Sequence, residues 1–277
     1  MGANGFVGGA IVRHLRAIGV AALPLSRTDI DLLQPDAGEK LAARLKPDDA
    51  FLFVSAIAPC RDHDGLLRNL TMVRAVCAGL ERASAAHVIN ISSDAVYAAS
   101  EETVSERTPA APADLHGVMH ATREVMLRGS IKAPLAILRP SLLYGAADPH
   151  NGYGPNRFRR LAAEGKEITL FGGGEEQRDH VFIDDVSAVV GLCLMHRSQG
   201  VLNIATGRSV AFRHIADMVA GKFAQPVKIT PTPRRNPIVH RHFDVTDRVK
   251  AFPRFAFTPL EQGLARVHQE SLGGRRG

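Results

Sequence analysis

Short apolar runs and helical patterns alternate along the first half of the chain. The runs VAALPLS (20–26), FLFVSA (51–56), HVINISS (87–93) and LAILRP (135–140) are rich in Val, Ile, Leu and Phe, as buried strands are. Between them FVGGAIVRHLRAIG (6–19), AGEKLAARL (37–45), DGLLRNLTMVRAVCAGLERA (64–83) and DLHGVMHATREVMLR (114–128) read as helices. Strand and helix alternate through short loops, which predicts an α/β chain with a doubly wound parallel sheet and helices on both faces. After Gly145 the character changes. GAADPHNGYGPN (145–156) is a turn-rich loop, two more helices and short strands follow, and PTPRRNPIVHRH (231–242) is a proline-rich connection. The expected division is a main domain over 1–145, to which 181–205 returns, and a small C-terminal substrate lobe made of 146–180 and 206–277. There is no internal repeat and no low-complexity segment.

The 277 residues are 45% hydrophobic and 22% charged, an ordinary soluble composition. Net charge is +6. Lys and Arg are spread along the chain, so no nucleic-acid patch is expected. The basic excess suits phosphorylated ligands as well as it suits a plain solvated surface. Cys60, Cys77 and Cys193 are far apart and odd in number, which argues against a disulfide framework and for a reducing cytoplasm. Cys77 and Cys193 sit in apolar helical patterns and read as buried thiols. No stretch approaches the ~18 apolar residues of a membrane span, and the N-terminus lacks the basic start and apolar core of a signal peptide.

Gly2, Gly5 and Gly8 have the spacing G-x-x-G-x-x-G. In a dinucleotide loop the first glycine permits a tight turn. The second lets the backbone approach a pyrophosphate, and the third lets helix and strand pack closely. A glycine-rich turn has the same look; the helix and strand that follow at once favour the dinucleotide loop. The strand expected before the loop is missing, because Met1 stands where it should end. That strand is central in such a sheet, ~4.8 Å from a neighbour on each side. Each backbone group buried unpaired by its loss costs ~1–3 kcal/mol. Either the natural start lies upstream, the favoured reading, or the chain is a truncation that folds poorly or binds cofactor weakly.

Taken together, these motifs resemble the extended short-chain dehydrogenase/reductase family, the NAD-dependent epimerases and dehydratases that include nucleotide-sugar epimerases and dTDP-4-dehydrorhamnose reductases. GANGFVGG (2–9) resembles the family's cofactor loop and INISSDAVY (89–97) its serine-bearing strand end. AILRPSLLYG (136–145) resembles the strand leading into the substrate loop. LFGGGEEQRDHVFIDDV (170–186) resembles the stretch capping the nucleotide-sugar cleft, and LNIATGRSVAFRHIADMV (202–219) the strand and helix after it. The resemblance covers essentially the whole chain. It implies a Rossmann-like fold, an NAD or NADP cofactor, and hydride transfer at a carbon of a nucleotide-linked sugar, C4 above all.

Residue by residue, the resemblance implies that Gly2, Gly5, Phe6, Val7 and Gly8 hold the cofactor, that Asp31 and Leu32 contact adenine, and that Ala56 and Ala58 line the cofactor near its ribose. Arg27 can pair with the 2′-phosphate of NADP where NAD enzymes place an acid, so NADP is favoured; the plain alternative is a solvated Arg beside Asp29. Ser93 stands where a Ser or Thr binds the reacting substrate oxygen. Asp94 follows it, as in the dehydratase and rhamnose-type reductase branches. Ala95 replaces the glutamate usual in dehydratases, which weakens that reading because elimination needs a second acid/base group. The plain reading of Ser92 and Ser93 is a polar strand end. Asn69 matches an asparagine that binds the backbone of the serine-bearing strand. Asn156 and Arg178 match substrate-side residues, Arg178 as a bidentate diphosphate ligand. Their plain alternatives are a helix N-cap for Asn156 and an ion pair with Asp179 or Asp185 for Arg178. Arg139 and Tyr144 are expected only to hold the loop. Members of the family often pair through the catalytic helix and its neighbour, which brings a homodimer into consideration.

One departure matters most. The family's catalytic helix carries Tyr-x-x-x-Lys, and both positions are histidine here, His116 and His120, while Gly117 and Glu124 keep their places. Residues four apart share a helix face. An imidazole of pKa ~6.5 can pass protons near neutrality, so His116 can stand in for the tyrosine and His120 can donate to a ribose hydroxyl. Two protonated histidines would repel, pushing at least one towards neutrality. Three readings follow: an oxidoreductase or epimerase using His116, a catalytically impaired dinucleotide-binding protein serving as sensor or scaffold, or a zinc site. Zinc needs a third ligand, and the metalloprotease pattern would place Glu where Gly117 stands.

Overall fold

A computed structural model describes residues 1–100, 102–234 and 236–273. The described chain runs α1 (Phe6–Ala17), α2 (Ala37–Ala42), β1 (Ala50–Phe53), α3 (His63–Arg82), β2 (His87–Ile91), a 3-10 turn (Asp94–Val96), β3 (Thr103–Val104) and α4 (Leu115–Ser130). It continues through β4 (Leu135–Pro140), β5 (Leu142–Tyr144), α5 (Pro155–Ala163), β6 (Ile168–Phe171), β7 (Gln177–Phe182), α6 (Ile183–Met195) and β8 (Gly200–Ile204). Last come β9 (Ser209–Ala211), α7 (Phe212–Ala220), β10 (Ile229–Thr232), β11 (His242–Phe243), α8 (Thr246–Ala251) and α9 (Leu260–Gly273).

The central sheet has the order β1-β2-β4-β8 and every pairing in it is parallel. All five residues of β2 are buried, as expected where helices cover both faces. Successive side chains take opposite sides. Phe51, Phe53 and Val88 enter one core with Met72, Val73, Val76 and Cys77 of α3 and Leu127 of α4. Ile89, Ile91, Ala136 and Leu138 enter another with Ile11 and Leu15 of α1 and Val186, Val189 and Val190 of α6. This is the Rossmann-like arrangement that the alternation of patterns predicts. Cys60, Cys77 and Cys193 are all buried free thiols. Among the described residues no helix is long and apolar enough to cross a membrane.

One expected strand does not form. Residues 20–26 form no strand. A strand is defined by its ladder, and here the backbone contact with the neighbouring segment, the start of the chain, is confined to Leu25. There the Met1 amine donates to Leu52 O (2.7 Å), Val54 N donates to Met1 O (3.1 Å), and Gly2 N and Ala3 N donate to Leu25 O (2.8 and 3.1 Å). Three residues thus bridge β1 and the 20–25 segment.

The C-terminal part holds a three-stranded sheet β5-β7-β9 and a pair β10-β6. A core of Tyr144, Phe158, Phe182, Phe212, Ile215, Leu264 and Val267 draws α5, α7 and α9 against these strands. Of the lobe expected over 206–277, residues 235 and 274–277 lie outside the described residues.

Candidate active site

One cleft of ≈ 1130 Å³ gathers nearly all the residues singled out in the sequence. Gly2, Gly5, Phe6, Val7, Gly8, Arg27, Asp31, Leu32, Ala56 and Ala58 border it, as do Ser93, Asp94, His116, His120 and Asn156. Arg178 does not.

The glycine loop is built as tightly as its spacing suggests. Gly2 has φ +98°, and a Cβ on it would lie 2.7 Å from Ser55 N. A Cβ on Gly8 would lie 2.0 Å from Gly2 O, so only glycine lets α1 start here. Gly5, the N-cap, supplies no side-chain cap, which leaves first-turn amides and the helix dipole for an anion. Further along, Leu33 N donates to Asp31 Oδ1 (3.1 Å). Arg27 is largely exposed and its Nε lies 3.4 Å from Asp31 Oδ2. Asp29 is not its partner, because that carboxylate accepts from Ser26 N and Oγ. Asn69 corrects an expectation. It binds the loop after β1 rather than the serine-bearing strand, exchanging hydrogen bonds with Ile57 N (2.9 Å) and Ile57 O (3.0 Å). The segment with Ala56 and Ala58 is thereby fixed.

The serine end of the cleft is clasped to α4. Ser92 Oγ donates to Glu124 Oε1 (2.6 Å), and Arg139 donates to both carboxylate oxygens (2.9 and 2.6 Å) and to Tyr97 Oη (3.0 Å). Arg139 therefore ties α4 to β4 instead of holding the substrate loop. Tyr144 is buried against Phe182. Ser93 Oγ caps the 3-10 turn through Ala95 N (3.1 Å). Asp94 keeps partial exposure but is densely surrounded by protein, and burial pushes its carboxyl up to about 6 against the pull of Arg241 and Arg178.

Asp114 caps α4 by accepting from Gly117 N (2.8 Å). A Cβ on Gly117 would sit 2.1 Å from Ala95 O and 2.7 Å from Pro112 Cβ. The helix therefore docks on the serine turn with backbone contact, which only a glycine at 117 allows. The two imidazoles meet edge to face, ring centres 4.8 Å apart at 87°. Cys60 N donates to His116 Nδ1 (3.4 Å), so a neutral His116 carries its proton on Nε2. Burial lowers the pKa of both rings, assisted at His116 by His150 and Arg123 against Asp114, and at His120 by Arg123 and His116. His120 is pushed well below 6.5, and its buried Nδ1 has no hydrogen-bond partner among the described residues. Both rings are thus neutral near pH 7, more through burial than through mutual repulsion. Among the described residues no three His, Cys, Asp or Glu side chains form a metal-ligand set.

On the substrate side the motif-based expectations fare unequally. Asn156 is buried at the cleft, but Gly154 is the N-cap of α5. Asn156 instead accepts from Gly145 N (3.2 Å) and donates to Asp148 (2.9 Å) and Leu143 O (3.3 Å), tying the turn-rich loop together. The Arg178 guanidinium is held by the Glu176 carboxylate and the carbonyls of Gln177 and Val239. It pairs with neither Asp179 nor Asp185. Sequence reasoning missed Arg61, Arg68, His150, Tyr153 and His180, all at the cleft. The only sign of His180 was its place beside Arg178 in QRDHVF.

The model of the NAD dependent epimerase/dehydratase family matches residues 1–205. The chain belongs to this family. As an epimerase/dehydratase family member it shares its fold with MoeE5, solved with UDP-glucose and NAD (22% identity, TM-score 0.82, 100% of this chain and 98% of that one). The UDP-glucose 4-epimerase of Thermus thermophilus, solved with NAD, is 18% identical at TM-score 0.80 (99% and 97% covered). A GDP-L-fucose synthetase of Naegleria fowleri bound to NADP is 16% identical at TM-score 0.86 (99% and 93% covered). At these identities the likeness is one of fold.

Proposed function

We propose that this family member binds NAD(P) along the glycine loop and acts as an oxidoreductase or epimerase on a nucleotide-linked sugar. The observation that carries the reading is the one cleft bordered by the glycine loop, by Ser93 and Asp94, by the two histidines, and by Asn156 in the turn-rich loop. The residues present fit the cofactor: a Cβ on Gly2 or Gly8 would collide with Ser55 N or Gly2 O, so the tight loop that borders the cleft is open only to glycine, Asp31 and Leu32 border the cleft for adenine, and Ala56 and Ala58 leave room beside it. Bound NAD(P) would supply a centre that takes up and returns hydride.

The chain's own residues handle the oxygen. Ser93 orients it, and His116 offers a proton at Nε2, the nitrogen left free by the Cys60 bond. His120 donates to a ribose hydroxyl, and Asp94 serves as a neighbouring acid with its carboxyl near 6. Arg27, exposed at the cleft, favours NADP through its 2′-phosphate. Residues 146–180 and 206–277 form the substrate lobe in this reading, and two copies pair along α3 and α4, where Leu67 and Val125 are exposed.

A second reading, cofactor binding without turnover, is favoured by the neutral His120 with its unpaired Nδ1, because the usual helix cation is absent. One experiment separates them. NAD and NADP binding is measured by calorimetry, and the near-ultraviolet absorbance of reduced nicotinamide together with sugar conversion is followed on a panel of nucleotide sugars. Turnover supports the first reading, tight cofactor binding with no conversion the second, and no cofactor binding sinks both. Arg27→Ala should weaken NADP about tenfold and leave NAD unchanged.

A further inference from the structure

β7 opens with four polar residues, and the strand sends the last three, Arg178, Asp179 and His180, to different ends. Asp179 faces inward and accepts from Ser141 Oγ (3.1 Å), Thr206 Oγ1 (2.7 Å), Gly207 N (2.8 Å) and Arg208 N (3.1 Å). Arg178 and His180 share the other face by the two-residue period of a strand. Arg178 is consumed by Glu176 and two carbonyls. His180 is the residue of this pair that borders the cleft, at 4% exposure.

The chemistry of its two nitrogens is decided by what they touch. His180 Nδ1 lies 3.2 Å from Arg178 O. A carbonyl only accepts, so Nδ1 carries the proton and Nε2 holds a lone pair. Nε2 is buried and has no partner among the described residues. Beside it the Phe212 ring stands edge-on at 5.6 Å, and Gly154 crosses as bare backbone, where a Cβ would come within 3.3 Å of Nε2. Gly154 has φ +129°, a conformation that favours glycine, so the space beside the ring is kept by the backbone itself. Burial holds the ring neutral, with its pKa down at about 4, so the lone pair persists at neutral pH. A buried acceptor without a donor is unusual enough to need a ligand or a water to explain it.

We propose that His180 Nε2 accepts a hydrogen bond from an O–H or N–H donor of the substrate, making His180 a specificity-determining residue of the cleft. This rests on the nucleotide-sugar reading above and adds to it the group that discriminates among such substrates. The donor is either a hydroxyl of the sugar or a donor group of the nucleoside.

The test is calorimetric binding of UDP-glucose, dTDP-glucose and GDP-mannose, each beside its own nucleoside diphosphate, to wild type, His180→Phe and His180→Gln. Phe keeps a ring of similar size and loses the acceptor; Gln keeps an acceptor oxygen. NAD(P) affinity and thermal midpoint serve as the check on folding. We expect His180→Phe to weaken the sugar nucleotide that wild type binds by about tenfold or more, with His180→Gln recovering most of the loss. Loss for the nucleotide sugar alone assigns the donor to the sugar; equal loss for the diphosphate assigns it to the nucleoside. Wild-type affinity in folded His180→Phe overturns the proposal and leaves the nucleotide-sugar reading standing. If wild type binds NAD(P) but none of the six probes, the nucleotide-sugar reading fails and this assignment fails with it.

Discussion

Exchanging a phenol for an imidazole at position 116 changes what the group can give and take. A neutral His116 whose Nδ1 accepts from Cys60 presents Nε2–H. It can donate to a carbonyl oxygen as it stands. To take a proton from a hydroxyl at Nε2, it must give up the Cys60 bond and move its own proton to Nδ1. Under the proposed function the resting site is therefore poised for reduction more than for oxidation. Restoring His116→Tyr together with His120→Lys should raise sugar conversion ~10-fold or more, since a well-matched acid/base group contributes at least that. Initial rates with each nucleotide sugar check it. Unchanged rates with NAD(P) still bound would favour the binding-only reading.

The elements around these histidines are held by polar joints as much as by apolar packing. α4 is clamped to β2 and β4 by Glu124, whose carboxylate takes Ser92 and both arms of Arg139 in a buried setting. Glu124→Ala strands the Arg139 cation, and loss of one partner of such a pair costs ~3–5 kcal/mol. Urea denaturation should show the drop, and Glu124→Gln should lose less. At the start of the same helix, Gly117→Ala forces a Cβ into Ala95 O. Relieving the clash must lift α4 from the serine turn. We expect ~1–3 kcal/mol of destabilisation and a fall in kcat larger than any change in cofactor affinity, because Ser93 and His116 sit on the two sides of that contact while the glycine loop does not.

The molecule as a whole buries titratable groups of opposite sign, and pH separates them. His120 and His180 are neutral in the fold but titrate near 6.5 when unfolded. Between about pH 6.5 and 4 the unfolded chain binds protons that the folded chain does not, so their contribution to stability is lost as pH falls. For His180 alone this is on the order of 3 kcal/mol. Asp94 runs the other way: its folded carboxyl is raised to about 6 from 3.8, so the cost of burying its charge is relieved as pH falls through that window. Stability measured by denaturation across the window should therefore rise for His180→Phe relative to wild type as pH falls. The advantage of Asp94→Asn over wild type should be largest near pH 7 and decline as pH falls. Parallel curves for all three proteins would contradict both burial arguments.

Much of this protein was readable from its residues alone. Apolar runs alternating with helical patterns determined the parallel sheet with helices on both faces, since period and order dictate which faces must be buried. The glycine spacing, Ser93–Asp94 and the substituted pair His116/His120 located the cleft, because backbone approach and helix-face spacing are local properties. What depended on partners distant in sequence was decided only in the tertiary structure. Residues 20–25 have a strand's composition yet form none, for a ladder needs a neighbour along its length. Arg178 and His180 are two residues apart on one strand face. Glu176 and the Val239 carbonyl remove the arginine from the cleft, and the Gly154 backbone leaves the histidine there with a lone pair unfilled.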